Sequence, residues 1–137
     1  MLRKDAKVEL MRRVPLFAGC SKRELAAIAS LADELRFESG RTLIREGERG
    51  REFIIVVEGE VEVRKNGRKL PRRGDYSFFG ELALLTDAPR SATVRTSTPV
   101  RALVISDHDF QRLLTSSVQI QSKVLRSLAE RLAPTDV

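Results

Sequence analysis

The sequence predicts a mainly β domain: an antiparallel jelly roll (double-stranded β-helix) with N-terminal helices and two C-terminal helices. Three observations point there. Residues 36–106 form short apolar or alternating runs punctuated by glycine. Asn66-Gly67 between two such runs is the strongest hairpin signal in the chain, suited to a tight type I′ turn. Helical signals flank this stretch on both sides, and helix-flanked short strands with regular turns close into a roll.

Each element follows from local chemistry. Asp5 to Arg13 is amphipathic and ends near Pro15, which cannot continue a helix. Ser21-Lys22-Arg23-Glu24 has the spacing of a capping box, so a second helix is expected to about Leu31. Expected strands are Thr42 to Arg45, Glu52 to Glu58, Glu60 to Arg64, Ala92 to Thr96 and Val100 to Ser106. Val61 and Val63 alternate with Glu60, Glu62 and Arg64, as in a half-buried strand. Ser106 or Asp107 can cap a helix through about Thr115. Ser116 or Ser117 can start the last helix, with an apolar stripe of Ile120, Val124, Leu125, Leu128 and Leu132, before Pro134 stops it. The organisation is one domain over residues 1–137: N-terminal helices 5–31, roll 36–106, C-terminal helices 107–132.

Composition bounds the function. At 137 residues and 42% apolar, the chain can bury a real core. One cysteine, Cys20, rules out an internal disulfide and suits a reducing cytoplasm. Cys20 precedes a helix start, which can lower a thiol pKa, but the plain reading is a helix-flanking residue. No apolar run reaches membrane-spanning length, and the N-terminus lacks an apolar signal region, so a cytoplasmic location is expected. With His108 as the sole histidine, the histidine clusters of roll-shaped metalloenzymes are out of reach. No triphosphate-binding glycine loop and no nucleophile paired with a base stands in the sequence, which reads as no enzyme, no metal and no cofactor. The net charge is +6, with Arg64, Lys65, Arg68, Lys69, Arg72 and Arg73 in a run without acidic residues. That run reads as a solvated hairpin tip or as a surface for nucleic acid, acidic lipid or an acidic partner.

The chemistry concentrates between Phe79 and Val94. Gly80 lets the backbone approach a ligand. Amides at the start of a short helix after Gly80, with those of Ser91 and Ala92, can donate to a phosphate. Arg90 presents a planar, permanently charged fork for two phosphate oxygens. Glu81 only accepts hydrogen bonds when ionised, so it suits a sugar hydroxyl. The set fits a small anion that carries a hydroxyl.

Phe79-Gly80-Glu81-Leu82-Ala83-Leu84 followed by Pro89-Arg90-Ser91-Ala92 resembles the phosphate-binding cassette of the cyclic-nucleotide-binding domain family. Regulatory subunits of cyclic-AMP-dependent protein kinase and the sensor domain of bacterial catabolite activators belong to that family. Val14-Pro15-Leu16-Phe17 is similar to its entry helix, and Gly40, Gly47, Gly59 and Gly74 match its strand-turn glycines. The turn Gly74-Asp75-Tyr76-Ser77-Phe78 is slightly longer than the commonest family pattern. The resemblance implies Arg90 on the phosphate, Glu81 on the ribose 2′-hydroxyl, and Leu82, Ala83, Val61 and Val63 beside the ribose or base. The last four also read as core. It implies cAMP as ligand, with cGMP as the other candidate because Ser91 supplies a hydroxyl after the arginine. It implies a terminal helix that moves over the base, through Leu128, Arg131, Leu132 or Thr135; the alternative is a static stripe packed on the roll or in a homodimer. No activator-type DNA-binding domain is expected after the last helix.

The reading is thus a non-catalytic cyclic-nucleotide sensor, a regulatory domain in signal transduction whose downstream protein the sequence does not name. The alternative is a nucleic-acid or protein interaction module that uses the 64–73 hairpin, with ligand binding secondary or lost.

Overall fold

A computed structural model of the chain describes residues 4–80 and 89–132. Helix α1 spans Lys4–Arg12, a 3-10 turn spans Pro15–Phe17, and α2 spans Lys22–Ala29. The capping box is present in both halves: the Glu24 amide donates to Ser21 Oγ at 3.2 Å, and the Ser21 amide donates to Glu24 Oε1 at 2.8 Å. Eight strands follow: β1 Asp33–Phe37, β2 Thr42–Ile44, β3 Glu52–Glu58, β4 Val61–Lys65, β5 Arg68–Arg73, β6 Phe78–Phe79, β7 Thr93–Thr96 and β8 Val100–Ser106. Helices α3, Asp107–Ser116, and α4, Val118–Leu132, close the described chain. Ser106 caps α3 by accepting from the Asp109 amide, and Ser117 Oγ accepts from the Ile120 amide at the start of α4.

Two four-stranded antiparallel sheets face each other, in the orders β1-β8-β3-β6 and β2-β7-β4-β5. The first sheet is covered on both sides, which explains the unbroken apolar runs of β3 and β8. Phe53, Ile55, Val57, Leu103 and Ile105 point at the helices, where they join Leu16, Phe17, Leu25, Phe110, Ile120 and Val124. Ile54, Val56, Val100, Ala102 and Val104 point into the roll and meet Ile44, Val61, Val63, Phe79 and Val94 of the second sheet. The second sheet turns its other face to solvent, so β4 alternates.

The hairpin forms as expected. Lys65 pairs with Arg68 across a two-residue loop, and Asn66 and Gly67 both take positive φ, 53° and 76°. Several details depart from the sequence expectation. The roll begins at Asp33 instead of residue 36, because β1 pairs along its whole length with β8. Strands β5 and β6 had no apolar alternation to announce them, and β1 had only Leu35 and Phe37, the first of them exposed. Leu125 does not belong to the apolar stripe of α4: it is 53% exposed, as it sits one helical step beyond the buried Val124. Two of the six hairpin cations do face carboxylates: Arg64 pairs with Glu62 of its own strand at 2.7 Å, and Arg72 with Glu60, just before the partner strand, at 3.0 Å.

Candidate functional site

Arg90 is one of two buried polar or charged residues among the described residues, with 8% exposure. A charged side chain is buried only where the protein supplies partners or a ligand will. The loop between β2 and β3 holds its backbone from both directions. The Arg90 amide donates to the Glu48 carbonyl, and the Gly47 amide donates to the Arg90 carbonyl, each at 2.8 Å. Arg49 and Pro89 add an isolated antiparallel bridge.

The Arg90 side chain runs between Gly50 and Gly80, and Nη2 donates to the Glu52 carbonyl at 2.5 Å. A Cβ at Gly50 would collide with Nε and Cζ of Arg90, and a Cβ at Gly80 would collide with Nη1. Gly80 also takes φ +97°, a left-handed conformation that side chains resist. The position of Gly80 follows from β6, where Phe79 pairs with Ile54 and Phe78 with Ile55. Two glycines and a strand carbonyl therefore form a narrow cradle that sets the direction of the guanidinium. The Glu52 carbonyl takes an Nη2 donor, and a fixed cation of this kind is suited to a phosphate.

The structure brings Gly80 and Arg90 together. Ser91 follows on the surface, while Ala92 packs partly buried against the roll interior. Val61 and Val63 lie in that interior beside Phe79, the residue before Gly80. Glu81, Leu82 and Ala83 lie outside the described residues, as does Thr135. Leu128 packs against the helix-side core. Sequence reasoning missed Gly50 and the Glu52 carbonyl. A carbonyl carries no residue-type signal, and Gly50 stands in a polar loop with nothing to separate it from an ordinary turn glycine.

Away from this site, Cys20 is buried at 8% exposure, and burial followed by the nearby Glu24 charge pushes its thiol above its ordinary pKa. A raised thiol pKa means little thiolate, so Cys20 behaves as a packing residue. His108 is exposed in the first turn of α3. Among the described residues, no helix is long and apolar enough to cross a membrane, and no group of three or more His, Cys, Asp or Glu side chains is placed to hold a metal.

Residues 34–117 match the family model described as "Cyclic nucleotide-binding domain". A cAMP-dependent protein kinase regulatory subunit of Emericella nidulans is 40% identical over 108 residues, covering 76% of this chain and 26% of that protein. A cGMP-dependent protein kinase of Toxoplasma gondii is 33% identical over 131 residues, covering 95% of this chain and 13% of that protein. The chain thus spans about a quarter or less of these relatives' length. Among solved structures, the N-terminal domain of a transcriptional regulator from Streptomyces coelicolor A3(2) is 32% identical with a TM-score of 0.80, over 93% of this chain and 94% of that one.

Proposed function

Because this chain belongs to the cyclic nucleotide-binding domain family, we propose that it is a non-catalytic cytoplasmic sensor that takes cAMP in preference to cGMP and passes the signal to a downstream protein through α4. The observation that carries the proposal is the buried Arg90 in its cradle of Gly50, Gly80 and the Glu52 carbonyl. A guanidinium held in a water-poor setting interacts strongly with a cyclic phosphate, because little solvent screens the pair.

In this reading Glu81 takes the ribose 2′-hydroxyl, and Gly80, Leu82 and Ala83 line the approach to it. The Ser91 and Ala92 amides donate to the phosphate beside Arg90, and Val61 and Val63 form the apolar floor under ribose and base. Relatives whose names include "cAMP-dependent" favour cAMP, while the Toxoplasma gondii relative keeps cGMP in play. The Ser91 side chain adjusts base choice, since one neutral hydrogen bond contributes about 0.5–1.5 kcal/mol.

Calorimetric titration of the protein with cAMP, cGMP, 2′-deoxy cAMP and linear AMP tests the reading. Saturable one-site binding of cAMP is expected, with cGMP weaker. The deoxy analogue should bind much more weakly, because it leaves a carboxylate without its donor. Linear AMP that binds as well as cAMP, or no heat with either cyclic nucleotide, refutes it.

A further inference from the structure

We propose that the tip of the β4–β5 hairpin docks into the major groove of duplex DNA, through side chains other than those of the Arg90 site. The first observation is where the charge lies. The chain has 25 basic and 19 acidic residues, and six of the basic ones lie between Arg64 and Arg73; without those six the chain would be neutral. With Glu62 set against the six, β4 and β5 still carry a net +5 of the chain's +6. Strand β5 is the edge of the second sheet, and β4 is paired to β7 only as far as Arg64, so the Lys65–Arg68 tip extends past the neighbouring strand.

The second observation is the strand register. Arg64 stands directly opposite Lys69, and Lys65 directly opposite Arg68. Side chains at such positions are about 5 Å apart, and like charges placed so destabilise a sheet. Solubility alone would be served as well by staggered charges. Glu62 offsets Arg64, and the Glu46 carboxylate is engaged by the Asn66 amide at 2.8 Å, which also ties the tip to the β2–β3 loop. Lys65, Arg68 and Lys69 are exposed.

The third observation selects the partner. Successive residues of a strand point to opposite faces, so the Arg64–Lys69 pair lies on one face of the ribbon and the Lys65–Arg68 pair on the other. A planar surface such as a membrane meets one face only. A groove presents phosphates on both walls, and the major groove of B-form DNA admits a two-stranded ribbon. The deep, narrow major groove of double-stranded RNA does not. No aromatic residue interleaves the cations, so single-stranded bases find no stacking platform.

The test is fluorescence anisotropy with a 20-base-pair mixed-sequence duplex, titrated with the whole chain at 50–200 mM salt. Each neutralised phosphate contributes about −0.9 to the slope of log affinity against log salt, so four tip cations predict a slope of about −3 to −4, roughly a 100-fold loss over that range. Lys65→Thr/Lys69→Thr removes one cation from each face and should reduce the slope by about two. Its Tm should be no lower than the parent's, because like-charge opposition is relieved, and this checks its fold. Arg112→Thr/Arg126→Thr removes the same charge from the exposed surfaces of α3 and α4 and should leave duplex affinity within about twofold. The proposal is overturned by no duplex binding at 50 mM salt, by equal loss in both double variants, or by tighter binding of the single-stranded 20-mer. Retention on phosphatidylserine vesicles at protein concentrations that leave the duplex free also overturns it.

Discussion

At the scale of the residue, Arg90 and the two glycines beside it give separable predictions. Arg90→Ala should weaken cAMP binding by about 30-fold to several thousand-fold, the equivalent of about 2–5 kcal/mol for removing one member of a buried charge pair. Calorimetry that finds affinity within threefold of the parent would remove Arg90 from the phosphate. Gly50→Ala puts a methyl group where Nε and Cζ of Arg90 now lie, in a backbone conformation that alanine accepts. Its effect should fall on ligand affinity through a redirected guanidinium. Gly80→Ala meets two penalties: the left-handed φ, and a Cβ only 2.7 Å from the Glu52 carbonyl oxygen, which belongs to a paired strand and cannot swing away. Loss of about 1–3 kcal/mol of stability is expected from strain of this kind. Urea unfolding of the two variants separates them; an equally destabilised Gly50→Ala would show that the cradle serves the fold before the ligand.

At the scale of the element, α4 is joined to α2 by an ion pair between residues 99 apart in sequence. Lys123 Nζ lies 2.5 Å from Glu24 Oε1, the same carboxylate oxygen that completes the capping box. The Lys123 hydrogen bond, then the Ser21 amide, hold the Glu24 carboxyl below its ordinary pKa. A carboxylate with a depressed folded-state pKa adds stability above its unfolded pKa, and this stability is lost as pH falls through the folded value. Lys123→Met should therefore cost up to about 1 kcal/mol at neutral pH, given a partly exposed pair. The difference from the parent should close below the usual carboxylate range. Urea midpoints at pH 7, 5 and 3 that differ by a constant amount would rule the linkage out. If α4 is also the output of the sensor, hydrogen exchange over residues 118–130 should slow at saturating cAMP, and unchanged exchange would leave α4 a static cover.

Element by element, what the sequence displayed depended on which interactions hold each piece. The Asn66-Gly67 turn and the Ser21–Glu24 box are local, so residue type announces them. Strands β3 and β8 were visible as apolar runs because both their faces are covered. Strand β1, Asp-Glu-Leu-Arg-Phe, and strand β5, Arg-Lys-Leu-Pro-Arg-Arg, exist through pairing with neighbours, and their charged residues and proline argue locally against a strand. Hydrophobicity alone places Leu125 inward, because it cannot see that Val124 and Leu128 already fill that face. At the site, Arg90 and Gly80 were legible because their motif is contiguous around the roll's last strands. The Glu52 carbonyl and Gly50 come from residues 38 and more positions away and leave no pattern in the chain.

At the scale of the whole molecule, two apolar layers share one sheet. The helix-side layer centres on Phe17, Phe53 and Phe110, whose ring centroids lie 5.8–6.4 Å apart in edge and stacked arrangements. All three are essentially inaccessible to solvent and join the helices on both ends of the chain to β3. Phe110→Ala should cost about 3–5 kcal/mol and unfold roll and helices in one transition, since the sheet they share cannot lose one face alone. Leu125→Ala, on the open side of α4, should stay within about 0.5 kcal/mol. Calorimetric melting curves decide both; two transitions for Phe110→Ala would mean that the helical layer is an independent unit.

The burial of Cys20 has a practical consequence. As the only thiol in the chain, it is buried just before α2, beside the Glu24–Lys123 pair that seams α2 to α4, with little thiolate at neutral pH. An aromatic disulfide reagent can reach it only when that seam parts. The rate of colour release in native buffer is therefore a clock for the seam, readable without mutation or label. Lys123→Met should make the clock run faster, and a nucleotide that draws α4 down should slow it.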